Sequence, residues 1–89
     1  MIYLIFTQAG FEDAQESVLA NHATLWINQG VLLDKQTEIL LKARITVNIF
    51  TTLVDPTNEK AIIAAIEGIE GIEGIEIEYP DTELFVEYL

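Results

Sequence analysis

His22 is the only histidine of an 89-residue chain that has no cysteine. Proton transfer near neutral pH would therefore have to use its imidazole or a carboxylate moved out of its ordinary range. The threonines, and Ser17 in the same periodic stretch as His22, have only that imidazole as a conceivable base, and the pair to weigh is Ser17 with His22. Five helical residues at 100° each would set the two side chains about 140° apart, which disfavours a hydroxyl–imidazole pair on one helix face. His22 falls inside an apolar stripe, between Val18 and the Leu25–Trp26 pair, so an inward-pointing ring is expected. Two readings stand side by side: a hydrogen-bonded histidine at the edge of the core, or a ring that lines a ligand cleft together with Trp26.

Larger constellations are missing. The chain has no His-Glu zinc motif, phosphate-cradling Gly-Lys loop, dinucleotide Gly fingerprint, nucleophile elbow or calcium-loop spacing, so no metal, no cofactor and no catalysis beyond His22 are expected. The abundant groups are carboxylates. Residues 1–60 hold seven acids and four bases, whereas residues 61–89 hold eight acids and no base, within a net charge of −11. Nucleic-acid binding needs clustered Lys and Arg to displace phosphate counterions, and this charge layout argues against it. An acidic surface serves solubility, or docks a basic protein.

The elements that would position these groups follow from periodicity. Residues 43–54 form the longest β-branched run, with Ile45, Val47, Ile49, Thr51 and Leu53 on one parity, and predict the central strand. Residues 2–7 read as a second continuous apolar strand, and residues 8–10 as the turn after it. From 11 to 29 the three- and four-residue spacing of Phe11, Ala14, Val18, Leu19, Leu25 and Trp26 predicts one long helix closed by Gly30. Residues 31–33 read as a short strand. Residues 38–42 are expected to extend the central strand through a bulge, with a helical turn capped by Asp34 as the alternative. Asp55-Pro56 reads as a helix start, and Gly68 as the point where that helix frays. The Gly-Ile-Glu repeat over 67–76 reads as helix end, connection and strand start. Residues 75–79 and 84–88 predict a closing hairpin. An even loop would gather Glu76, Glu78, Glu83 and Glu87 on one face, opposite Ile75, Ile77, Tyr79, Leu84, Val86 and Tyr88. Four neighbouring carboxylates need water, a cation or a basic surface beside them.

The order strand, helix, strand, strand, helix, strand predicts one α+β domain over 1–89, a ferredoxin-like βαββαβ sandwich with an extra C-terminal hairpin strand. Both helices would cover one sheet face, and sheet-to-sheet dimerisation would hide the other. The opening residues 1–8 (Met-Ile-Tyr-Leu-Ile-Phe-Thr-Gln), the stretch Asn28-Gln-Gly30-Val-Leu-Leu33, the Asp55-Pro56 start and residues 75–80 (Ile-Glu-Ile-Glu-Tyr-Pro) resemble the dimeric α+β barrel superfamily, especially YCII-related proteins and muconolactone isomerases. The resemblance implies a homodimer whose sheets face each other around a cleft. It also implies, by analogy with relatives that are enzymes acting on small organic molecules, that His22 would be the residue to take part.

The expectation is therefore a small, acidic, soluble, cytoplasmic and homodimeric module with no membrane span, binding a basic protein partner through its acidic C-terminal face, Glu76, Glu78, Glu83 and Glu87. Lys35, Lys42 and Arg44 would supply the opposite charge across a homodimer. The alternatives are a dimeric-barrel enzyme or ligand-binding protein using His22 and Trp26, and an acidic inhibitor that imitates nucleic acid to block a basic protein.

Overall fold

A computed structural model describes residues 1–73 and 84–87. The elements run β1 (Ile2–Ile5), α1 (Gln8–Asn21), β2 (Thr24–Ile27), α2 (Asp34–Lys42), β3 (Val47–Ile49), α3 (Glu59–Glu73) and β4 (Leu84–Val86). Strands and helices alternate along the chain. The four strands make one sheet in the order β3-β2-β1-β4, and every pairing is parallel. Parallel neighbours need a crossover between them, and here each crossover is a helix.

The sheet is covered on both faces. Tyr3 and Ile5 of β1 and Leu25 and Ile27 of β2 pack with Phe11, Ala14 and Val18 of α1 and Leu40 of α2. Ile2, Leu4 and Phe6 point the other way, into a second cluster with Ile62 and Ile69 of α3, Phe50 and Val54. A strand buried on both sides reads as a continuous apolar run, which is why β1 is all apolar. Fully burying a side chain such as Phe11 or Ile62 contributes about 1.5–3 kcal/mol.

This arrangement combines helices and strands, as the sequence suggested, but its plan is not ferredoxin-like. That plan has antiparallel neighbours and one open sheet face, whereas this sheet is parallel and α3 occupies the face expected to pair with a second copy. The order 3-2-1-4 is that of a doubly wound sheet, in which the chain reverses its direction of travel between β1 and β4.

The differences in element placement have local causes. The helix expected over 11–29 stops at Asn21, because His22 adopts the left-handed conformation (φ 50°). Ala23 N–H then donates to Val18 C=O and His22 N–H to Leu19 C=O, the paired bonds of a Schellman stop. Leu25 and Trp26 continue the apolar spacing because they lie on β2 and face opposite layers, Leu25 toward α1 and Trp26 toward α3. A doubly buried strand thus imitates the helical pattern.

The same device ends α2. Arg44 has φ 60°, Ile45 N–H donates to Leu40 C=O, and Arg44 N–H donates to Leu41 C=O. It cuts the run 43–54 in two and leaves only Val47–Ile49 as a strand, at the sheet edge and not at its centre. Residues 31–33 are the loop into α2, entered through Gly30 (φ 79°) in a turn closed from Val31 N–H to Asn28 C=O. Residues 38–42 are helical, and α2 begins at Asp34, where the Gln36 side-chain oxygen accepts from Leu33 N–H. Residues 8–10 lie in α1, not in a turn, with Thr7 as N-cap accepting from Gly10 N–H.

Asp55-Pro56 forms a turn in which the Asp55 carboxylate accepts from the Thr57 amide and hydroxyl. The cap of α3 is Asn58, whose side-chain oxygen accepts from Lys60 and Ala61 N–H. The helix passes Gly68 without ending and reaches Glu73. The expected hairpin strand 75–79 lies outside the described residues, and β4 itself runs parallel to β1.

Candidate functional site: the crevice between β1 and β4

In a doubly wound sheet, ligands bind beyond the carboxyl ends of the strands at the point where strand order reverses. Here that point lies between β1, which leads into α1, and β4, which arrives from α3 on the other face. The N-terminus of α1 opens onto it, with amide groups and a helix dipole suited to an anion.

The anion present is the chain's own Glu87. Glu87 N–H continues the ladder by donating to Leu4 C=O at 2.9 Å, and alternation along β4 turns the side chain toward α1. One carboxylate oxygen accepts from Phe6 N–H at 2.7 Å and Thr7 N–H at 3.0 Å, and the other accepts from the Thr7 hydroxyl. That hydroxyl in turn accepts from Gly10 N–H at 3.1 Å. Glu87 is 7% exposed. Gly10 makes room for it, since a Cβ at that position would lie 2.2 Å from the carboxylate.

A second polar hub closes the rest of this sheet edge. Asn28, buried just beyond β2, donates its side-chain amide to Phe6 C=O at 3.1 Å and Val54 C=O at 2.8 Å. Its carbonyl accepts from Val54 N–H at 2.9 Å. Three loops, those after β1, β2 and β3, are thereby tied to one side chain whose donors and acceptor are all used.

The expected site residues are dispersed. His22 is an exposed helix stop at the opposite, amino-terminal end of β2, and its left-handed backbone places it outside the apolar stripe. Trp26 faces α3, with its ring 5.6 Å from that of Phe50, and lines a cavity of about 310 Å³ with Phe50, Ala65, Gly68 and Ile69. Among the described residues, His22 does not contribute to that cavity's lining. Lys35 and Lys42 lie exposed on α2, and Arg44 is exposed at its stop. Glu87 belongs to the interior and not to a docking face, because the side of β4 expected to be wet lies against α1. Glu76, Glu78 and Glu83 are outside the described residues.

Neither the Glu87 lock nor the Asn28 hub is marked by a motif in the sequence. The traces they leave are slight: Thr7 three residues before Gly10 at a strand–helix junction, and an acid at the end of a strand pattern. Among the described residues, no group of three or more His, Asp or Glu side chains gathers to hold a metal, and no helix is long and apolar enough to cross a membrane. No family model matches the chain, and no significant match to a curated protein or a solved structure was found.

Proposed function

We propose that the protein is a non-enzymatic acidic module, homodimeric in solution, that binds a basic protein partner through its acid-rich C-terminal third. The observation that carries this reading is the filled crevice. The place where this architecture offers an anion site is occupied by Glu87, held by two backbone amides and a hydroxyl, so a phosphate or carboxylate ligand would have to displace a satisfied internal group. What the chain offers a partner instead is its charge. It carries −11 overall, with no base after Lys60.

Such binding should be steered by electrostatics and weakened by salt. The test has two stages. A basic protein retained on the immobilised chain at roughly 0.1 M salt would be purified, and the complex rebuilt from the two pure components. Charge reversal of Glu76, Glu78 and Glu83 to Lys should then lower its affinity by at least tenfold. Retention of no basic protein, or a reconstituted affinity indifferent to the reversal, would sink the proposal. Light scattering at low and high salt tests the dimer independently. A mass fixed at that of a monomer refutes that part.

A further inference from the structure

A cavity of about 390 Å³ lies on the α1 side of the sheet, beside β4. Helix α1 contributes Gly10, Asp13, Ala14 and Ser17, one turn apart along one side, and the sheet contributes Tyr3 and Phe85. The space exists because that side of α1 carries only short side chains. Phe85, on the same face of β4, is 45% exposed.

Two features of the sheet side point to an occupant. The rings of Tyr3 and Phe85 meet at 4.9 Å between centroids, tilted by 31°, and present an aromatic surface. Tyr3 is 5% exposed, yet its hydroxyl has no hydrogen-bond partner among the described residues. No polar side-chain atom there is both fully enclosed and unpartnered. The hydroxyl of this otherwise buried side chain therefore reaches open space, and the cavity is the space that Tyr3 lines. Buried tyrosines ordinarily find a partner for that group.

The charge of the site has one sign. Asp13 stands exposed at the rim, Glu87 closes one end, and none of the chain's Lys, Arg or His residues contributes to the lining. An aromatic surface next to a carboxylate attracts a cation through both the ring quadrupole and direct charge. The volume is in the range of small-molecule pockets.

We propose that this cavity binds a small organic amine, an ammonium on a short apolar or aryl stem. The stem lies against Tyr3 and Phe85, and the ammonium lies between the Asp13 carboxylate and the hydroxyls of Tyr3 and Ser17. The proposal does not depend on the protein partner inferred above.

The probe is phenethylamine, titrated into the full 89-residue chain and followed by backbone amide NMR shifts, with 2-phenylethanol and phenylacetate as neutral and anionic counterparts. Phenethylamine should shift amides around Gly10, Asp13, Ser17 and Phe85 while leaving Trp26 in place, and should bind more tightly than either counterpart. Asp13→Asn, a change at an exposed position, should weaken it about fivefold, the scale of a partly solvated ion pair. Tyr3→Phe should weaken it as well while keeping the ring. Ser17→Leu, which fills the space from an exposed position, should abolish the shifts in a chain whose other amides are unmoved. Equal binding of all three probes, shifts centred elsewhere, no binding, or an Asp13→Asn chain that binds as before would each overturn the proposal.

Discussion

Glu87 shows how one carboxylate can serve as structure where the architecture offers a ligand site. One of its oxygens satisfies the amides of both Phe6 and Thr7 at the mouth of α1. Truncation in Glu87→Ala leaves both amides unpaired in a buried place, and should cost about 2–4 kcal/mol in a urea titration. Gly10→Ala should destabilise too, because the added methyl takes the space of a carboxylate that is pinned and cannot swing aside. Combined, the two substitutions should cost clearly less than their sum, since either one alone dismantles the same lock. Asn28 provides a second test. Asn28→Asp replaces two donated hydrogens by a charge facing the Phe6 and Val54 carbonyls, and should cost about 3 kcal/mol at neutral pH. Burial beside carbonyl oxygens raises such a carboxyl's pKa, so the deficit relative to the parent should shrink as pH falls and the group gains a proton to donate.

At the scale of the element, helix ends decide the topology. Both α1 and α2 stop at a non-glycine residue in the left-handed region, His22 and Arg44, and the chain enters a strand within three residues of each. A side chain there costs roughly 1 kcal/mol relative to glycine. Arg44→Gly should accordingly raise stability by up to about 1 kcal/mol, read as a higher urea midpoint at unchanged slope. In α3, Gly68 has open space where a Cβ would go, so Gly68→Ala should stabilise by about 1 kcal/mol. A lower urea midpoint in that variant would contradict this expectation. Asp55, at the turn before α3, has its carboxyl held below its ordinary 3.8 by the Thr57 hydroxyl and then by the Thr57 amide. Its contribution is complete above pH 3.8 and is lost as pH falls through the lowered folded value.

For the whole molecule the governing quantity is the charge of −11 on a body 32 Å in its longest dimension. At about 0.01 M salt the screening length is near 30 Å, so charges at opposite ends still repel; at about 0.1 M it is near 10 Å and mainly neighbours interact. Thermal stability should therefore rise as sodium chloride is raised over this range, in contrast to a chain held by attractive surface pairs. A melting temperature that falls with salt would mean that attractive pairs outweigh the repulsion.

Composition and periodicity determined, without any structure, that the chain mixes helices with strands, that residues 2–5 are buried, that Phe11, Ala14 and Val18 form one helix face, and that the net charge is −11. These are local or summed properties, and each residue expresses them largely alone. Only the tertiary structure decided that the sheet is parallel and covered on both faces, that the β-branched run around Val47 is an edge strand, that Leu25 and Trp26 face opposite layers, and that Glu87 is interior. In a doubly wound sheet a strand lacks the polar alternation that would reveal its faces. The left-handed stops at His22 and Arg44 carry no glycine to announce them. The environment of Glu87 is made by residues 80 and 81 positions away, a proximity that no spacing along the chain encodes.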